Sequence, residues 1–129
     1  MTFYHQQVKA LHRTIYPKDY LREQVIRSKH FIDSHFSENI SLDEIARDAA
    51  LSKFHFIRLF KKYYGQTPYQ YLTGLRIAKA KELLQTGLSV SETCYRLGFS
   101  SLSSFTGFFK KIIGLTPHGF RQKKATLEK

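Results

Sequence analysis

The sequence is poor in several residue types, and each shortage excludes a class of protein. It holds a single cysteine, Cys94, so the chain has no internal disulfide and no zinc site built from thiolates. We interpret the neighbours Thr93, Tyr95 and Leu97 as a buried stripe and expect Cys94 to be structural. No apolar run approaches the ~18 residues of a membrane span, and the polar start MTFYHQQVKALHR is unlike a secretory signal. We therefore expect a cytoplasmic protein without a membrane partner.

Acidic residues are also scarce. Lys and Arg number 21 against 10 Asp and Glu, which gives a formal net charge of +11. Six of the ten acids fall between Glu23 and Asp48. Two long tracts, 49–81 and 93–127, contain seven and six basic residues and no acid. Because solvated helix surfaces usually mix both signs, these tracts indicate surfaces that meet a polyanion such as nucleic acid.

The most informative feature that the sequence does contain is an internal repeat. FIRLFKKYYGQTPYQY, which begins at Phe56, returns 49 residues later as FTGFFKKIIGLTPHGF, which begins at Phe105. Upstream, SLDE returns 48 residues later as SVSE. The copies therefore differ by one inserted residue, which falls between the positions of Leu51 and Phe54 of the first copy, where a short turn is expected.

Each copy predicts two helices joined by a short turn. The boxes Ser41 with Glu44 and Ser89 with Glu92 cap the first helices, and the second helices end at a glycine, with Ser52 as N-cap in the first copy. Two short helices of which the second is basic are typical of the helix-turn-helix motif. The positions predicted to be buried are Leu42, Ile45, Ala46, Ala49, Phe56, Leu59, Phe60 and Tyr63 in the first copy, and Val90, Thr93, Cys94, Leu97, Phe105, Phe108, Phe109 and Ile112 in the second.

Three further helices complete the prediction. An amphipathic helix is expected from about Tyr20 to His35. A linking helix over 68–86 joins the first motif (about 41–65) to the second (about 89–114), with Leu72, Ile77, Ala80, Leu83 and Leu84 buried. A last helix begins at Pro117 and is expected to fray after Arg121. The predicted fold class is thus all-α, with about seven helices arranged as a homeodomain-like pair of helix-turn-helix motifs on a long central helix.

From about Tyr20 to Lys124 the sequence resembles the DNA-binding domain of AraC/XylS-type transcription regulators. The resemblance rests on ISLDEIARDAALSKFHFIRLFKKYYGQTPYQYL, on RIAKAKELL and on LGFSSLSSFTGFFKKIIGLTPHGFR. It implies that the two second helices enter successive major-groove segments on one face of duplex DNA. The extent of the resemblance divides the chain into an N-terminal extension or linker (residues 1–19), the domain (residues 20–124) and a tail (residues 125–129).

The resemblance places the base-contacting positions of the first motif at Phe54, Ile57 and Arg58. Arg58 is the strongest candidate, because a guanidinium pairs bidentately with guanine. Phe54 and Ile57 offer contacts only to thymine methyl groups or to sugar. The alternative is that Phe54 belongs to the core and Ile57 to a contact between helices.

The second motif departs from the family pattern. Its candidate base contacts are Leu102, Ser103 and Thr106, and Gly107 occupies the position of Arg58. Either the glycine admits a close approach of the DNA, or this motif mainly anchors the domain. We favour anchoring, which concentrates specificity in the first motif.

Phosphate contacts are expected from the exposed lysines and from the N-termini of the helices that follow each motif. The alternative is that these lysines only solubilise the surface. The candidates are Lys53, His55, Lys61, Lys62, Thr67, Lys110, Lys111 and Thr116.

Other classes of protein fit the sequence less well. It has no glycine-rich phosphate loop and no histidine pair at ligand spacing, since His30 and His35 do not share a helical face. We therefore expect no catalytic site, no metal and no cofactor, and we do not expect the protein to be an enzyme. A helical module that binds RNA or docks a protein is the remaining alternative, although the narrow, deep groove of RNA rejects a helix.

The expected function is sequence-specific binding of double-stranded DNA and transcription regulation, with activation favoured. RNA polymerase is a candidate partner, and the domain alone is expected to be a monomer. The alternative is a DNA-binding fragment of a larger ligand-sensing or signal-receiving regulator. Residues 1–19 carry Phe3, Val8, Leu11 and Ile15 at near-helical spacing. This leaves three roles open for them: a cap on the domain, a dimerisation element or a linker.

Overall fold

The computed structural model describes residues 17–128, and side chains for residues 18–123. Seven helices follow one another in this range, which holds no strand. The helices are α1 (Pro17–His35), α2 (Leu42–Asp48), α3 (Lys53–Tyr64), α4 (Pro68–Gln85), α5 (Val90–Arg96), α6 (Leu102–Ile113) and α7 (Pro117–Glu128). The all-α prediction of two helix-turn-helix motifs on a long central helix is confirmed. The predicted stripe of Phe3, Val8, Leu11 and Ile15 lies outside the described residues.

A serine N-cap begins each helix of both motifs. The Ser41 hydroxyl accepts a hydrogen bond from the Glu44 amide at 3.4 Å, and Ser89 accepts one from Glu92 at 3.1 Å. Ser52 does the same for α3, and Ser101 for α6. A side-chain cap satisfies an amide that the first turn leaves without a partner. Ser52 and Ser101 therefore set where the second helix of each motif begins, and we call these helices, α3 and α6, the recognition helices.

The turn inside each motif is a Schellman motif, in which two amides return to carbonyls of the preceding helix. In the first motif the Ala50 amide donates to Arg47 and the Leu51 amide to Ala46, both at 2.9 Å. In the second motif the Gly98 and Phe99 amides make the corresponding bonds. Four residues separate the helices of the first motif and five those of the second. The extra residue therefore lies in the turn, as predicted from the offset of the repeat.

The described helices fall into two compact units, of which the first comprises residues 17–31 and 41–68. Its buried apolar side chains are Val25, Ile45, Ala46, Ala49, Phe56 and Phe60. The rings of Phe56 and Phe60 meet edge to face with centroids 5.9 Å apart. Phe56 and Phe60 therefore place one side of α3 against this core.

The second unit comprises residues 32–40 and 69–128. A buried apolar cluster in this unit consists of Ile77, Ala80, Leu84, Cys94, Leu97, Phe105 and Phe109. Burial raises the pKa of the Cys94 thiol, as expected for a structural cysteine. The Thr116 hydroxyl accepts a hydrogen bond from the Gly119 amide at 3.0 Å and so caps α7.

Three expectations about burial are wrong. Tyr63 is 39% exposed and Ile112 is 50% exposed, while the next residues, Tyr64 and Ile113, are partly buried. The core positions of each recognition helix lie four residues apart, as in Phe56 and Phe60, and the same step leads to Tyr64 rather than Tyr63. Tyr95 is 81% exposed, because the residue after buried Cys94 points about 100° away around the helix.

The last helix is longer than predicted. It continues to Glu128 instead of fraying after Arg121. The segment beyond Arg121, QKKATLE, contains good helix formers and no glycine or proline, which favours continuation. None of the helices between residues 17 and 128 has the length and hydropathy needed to span a bilayer.

Candidate nucleic-acid interface

The recognition helix α3 has a core side and a basic side. Successive residues turn by about 100° around a helix, which places Ile57, Arg58 and Lys61 within about 60° of Phe54. The buried residues Phe56 and Phe60 lie at least about 120° away from Phe54. The first motif therefore presents one apolar and basic face away from its core.

The structure decides where the first motif's predicted base-contacting residues lie. Phe54 is 76% exposed, so it does not belong to the core. Arg58 is exposed, and Ile57 is half-buried beside it. The three side chains share one face of α3, as the predicted contact with DNA requires.

The recognition helix α6 presents the corresponding face with different chemistry. Leu102 is 48% exposed, Ser103 is exposed and Thr106 is half-buried. Apart from its chain neighbours and the backbone of its own helix, a methyl group built on Gly107 would meet no atom within 4 Å. Packing within the protein therefore does not require glycine at this position, and both explanations of Gly107 stand.

Five basic side chains on the two recognition helices are exposed and have no acidic partner in the described part of the chain. They are Arg58, Lys61, Lys62, Lys110 and Lys111. The lysines lie in the last turns of α3 and α6, where they also complement the helix dipole. This leaves each recognition helix with a positive charge available to an external anion.

The other candidate phosphate contacts are less available. The Lys53 ammonium lies 3.7 Å from the Asp43 carboxylate, an exposed ion pair of little stability. His55 is half-buried, and its amide is engaged by Ser52. Thr67 is half-buried, and the Thr116 hydroxyl caps α7.

Two basic residues of the acid-free tracts have partners within the protein. Arg76 donates to the carbonyls of Phe36 at 2.6 Å and Glu38 at 2.9 Å. Burial lowers the pKa of Arg76, and nearby Tyr69 raises it in part. Arg96 pairs with Glu92 at 3.3 Å. The charge counted along the sequence therefore overstates the charge available to DNA.

Tyr69 is a supporting residue that the sequence did not reveal. It is half exposed near the start of α4, and its ring meets Phe108 of α6 edge to face with centroids 6.2 Å apart. Phe108 lies one residue after Gly107, so Tyr69 supports the recognition helix from behind. No local signal points to this contact, since the partners lie 39 residues apart in sequence.

The fold and this surface define the class of protein. Two capped helix-turn-helix motifs, each with an exposed basic face on its second helix, form a DNA-binding domain with two recognition helices. Among the residues that the structure describes, no group of three or more His, Cys, Asp or Glu side chains is placed to hold a metal ion.

Comparison with known proteins identifies the family. Residues 45–123 match the model of a helix-turn-helix domain. The chain is 32% identical over 108 residues to the regulatory protein PocR of Salmonella typhimurium, covering 83% of this chain and 35% of PocR. It is 33% identical over 93 residues to the transcriptional activator RhaS of Escherichia coli, covering 71% of this chain and 34% of RhaS. The chain thus spans about a third of the length of these relatives.

Solved structures of DNA-binding regulators are also similar to this chain. An AraC-type regulator from Chromobacterium violaceum is 30% identical and covers 81% of this chain and 94% of its own, with a TM-score of 0.69. The DNA-binding domain of AdpA, solved in complex with a target DNA, is 29% identical and covers 77% of this chain and 90% of its own, with a TM-score of 0.71. The chain belongs to the AraC family of helix-turn-helix transcription regulators and carries its DNA-binding domain.

Proposed function

We propose that the chain binds, as a monomer, a site in duplex DNA composed of two blocks about one helical turn apart, and that it activates transcription from there. The main support for DNA binding is the pair of recognition helices. Each has exposed basic side chains that have no acidic partner among the described residues. Activation is favoured by the similarity to the activator RhaS. An activator bound at a promoter in the cytoplasm would have RNA polymerase as its second partner. The proposal includes no enzymatic activity.

In the first motif we assign base contacts to Phe54, Ile57 and Arg58. In the second we assign weaker ones to Leu102, Ser103 and Thr106. Phosphate contacts are assigned to Lys61, Lys62, Lys110 and Lys111 as the main set, with Lys53, His55, Thr67 and Thr116 as secondary candidates. The domain that makes these contacts spans 20–124, between an extension at 1–19 and a tail at 125–129.

The test is selection of bound duplexes from a random DNA pool at ~150 mM salt, where non-specific binding is weakened. Two enriched blocks about one helical turn apart support the proposal. One enriched block shows that the second motif anchors without contacting bases specifically. No enrichment, or preferential binding of structured RNA in a competition assay, overturns it.

Specificity is expected to be concentrated in the first motif. Removing the Arg58 guanidinium in Arg58→Ala should cost ~1–3 kcal/mol of discrimination at one base pair. Thr106→Ala should cost far less, and Tyr63→Ala, about 180° from Phe54 around α3, should leave discrimination unchanged. The measurement is binding to a panel of singly mutated sites, and equal losses for Arg58→Ala and Thr106→Ala would contradict the expectation.

A second candidate is that the chain is the DNA-binding part of a longer, ligand-sensing regulator. It is favoured because the chain spans only about a third of PocR and RhaS. An antibody raised against the chain distinguishes the two candidates in extracts of the native cells. A band near 15.1 kDa supports action by this chain alone, and a band about three times larger supports the longer regulator.

A further inference from the structure

The basic face of α3 carries an apolar side chain that the protein's own core does not use. Phe54 is 76% exposed, whereas Phe56 and Phe60 of the same helix are fully buried. A partner that covers an exposed phenylalanine removes apolar surface from water, which stabilises the complex. Because its neighbours on this face are Arg58 and Lys61, the covering partner is polyanionic as well as apolar at the point of contact.

The edges of the base pairs in the major groove offer one common apolar group, the 5-methyl of thymine. A phenyl ring and the Ile57 side chain have no atom that donates or accepts a hydrogen bond, so they do not distinguish the polar patterns of the four base pairs. They distinguish a pyrimidine that carries a 5-methyl group from one that does not. Cytosine methylated at carbon 5 presents the same methyl group at the same position of the groove.

On the basis of the proposed function, we propose that Phe54 and Ile57 make the first motif selective for 5-methyl pyrimidines. The block contacted by α3 then contains thymines at the positions opposite these side chains. Where a site carries cytosine instead of thymine at one of those positions, methylation of that cytosine strengthens binding, which makes the affinity of the domain for such sites responsive to the methylation state of the DNA.

The second motif provides an internal contrast. At the positions equivalent to Phe54 and Ile57 it carries Ser103 and Thr106, whose hydroxyl groups are able to hydrogen-bond to polar base edges and which offer a single methyl group, that of Thr106, to thymine. Leu102 is the exposed apolar residue nearest this face, and it lies about 100° from Ser103 around α6. A smaller dependence on methyl groups is therefore expected in the second block.

The test uses two pairs of DNA duplexes that each differ by one methyl group. At each thymine of the first block of the selected site, thymine is compared with deoxyuridine, and 5-methylcytosine is compared with cytosine opposite guanine. Within each pair every hydrogen-bonding group is the same. The full chain should bind the methylated member about fourfold more tightly per contacted methyl, the factor that corresponds to ~0.8 kcal/mol per buried carbon group.

Variants test whether Phe54 and Ile57 cause the selectivity for methyl groups. Phe54→Ser combined with Ile57→Ser replaces both apolar side chains by small polar ones and should bring both affinity ratios close to one. Tyr63→Ser removes an exposed aromatic ring from the opposite side of the helix and should leave both ratios unchanged. Because each ratio is measured with one variant, a general loss of affinity cancels, and thermal unfolding confirms that each variant is folded.

Two outcomes overturn the inference. If the wild-type chain binds its two-block site but shows the same affinity for both members of each pair, selectivity for methyl groups is wrong while DNA binding stands. The same holds if the ratios persist in the double variant. If no site is enriched from the random pool, the proposed function fails and this inference fails with it.

Discussion

At the scale of single residues, the two motifs form the same turn with different residues. Ala50 has φ 58° and its counterpart Gly98 has φ 76°, the left-handed region that favours glycine. Among the described residues, Ala50 is the only one other than glycine with a positive φ. The first motif therefore carries backbone strain that the second avoids.

This difference predicts opposite effects of two reciprocal substitutions. Ala50→Gly should raise the free energy of unfolding by about 0.5–1 kcal/mol, because relief of the strain exceeds the added entropy of the unfolded chain. Gly98→Ala should lower it by about 1–3 kcal/mol, since the new methyl would lie 3.2 Å from the Ser37 carbonyl oxygen and 3.3 Å from the Arg76 guanidinium. Urea unfolding measures both changes, and destabilisation by Ala50→Gly would contradict the assignment of strain.

Gly107 separates stability from DNA binding at a single position. Gly107→Ala should stabilise the chain by about 1 kcal/mol, because alanine is the better helix former and the added methyl meets no atom within 4 Å apart from its chain neighbours and the backbone of its own helix. If the second motif anchors, as we favour, affinity for the selected site stays within about twofold, well below the tenfold change that 1.4 kcal/mol would produce. A stabilised variant with much weaker binding would show instead that the DNA approaches the backbone at Gly107.

At the scale of helices, α4 does more than connect the motifs. Arg76 donates to the backbone carbonyls of Phe36 and Glu38, and its guanidinium carbon lies 5.8 Å from the centre of the Phe99 ring. Tyr71 of the same helix donates to Asp33. α4 thereby holds the segment after α1 and the turn of the second motif within the second unit.

Replacing Arg76 by lysine should lower the stability of the chain. Lysine cannot donate in the two directions that the planar guanidinium serves, so Arg76→Lys should lower the free energy of unfolding by about 1–3 kcal/mol. Lys79→Met on the same helix is the matched control, because it removes only the exposed ion pair with Glu82 and should change stability by less than about 0.5 kcal/mol. Equal effects in urea unfolding would show that Arg76 contributes no more than a surface charge.

The helices were predictable where the signal is local, and less so where it is not. Ser41, Ser52 and Ser89 identify the helix starts, because a cap acts over three residues. The ends of the apolar stripes were misplaced at Tyr63 and Ile112, because spacings of three and four residues both suit a helix until the core selects one. The bonds from Arg76 to Phe36 and Glu38 were not predictable, since their acceptors are backbone carbonyls about forty residues away.

At the scale of the whole molecule, excess positive charge determines how binding depends on salt. The net charge is +11, but Arg76 and Arg96 are engaged within the protein. Sequence composition therefore predicts attraction to DNA, whereas the structure is needed to identify which charges take part. For the candidate site, the residue types and the helix face that carries them are predictable from the sequence. The exposed fraction of Phe54 is known only from the folded structure.

We expect about six phosphates to be neutralised, which gives a slope near −5 in a plot of log affinity against log salt concentration. Lys61→Gln with Lys110→Gln should reduce the magnitude of the slope by about 2. Lys79→Gln, which removes a lysine paired with Glu82, should leave it unchanged. A slope near zero for the wild-type chain would show that these lysines only solubilise the surface.

On the proposed base contacts, the unequal faces of α3 and α6 also give the bound chain a direction. One helix presents Phe54 and Arg58 where the other presents Ser103 and Gly107, so we expect the two helices to bind different DNA sequences. A site of this kind is not a palindrome, and it has a left and a right end. Inverting it relative to a promoter would turn the protein around, exchange the ends that face the start of transcription, and separate occupancy of the DNA from its effect on the gene.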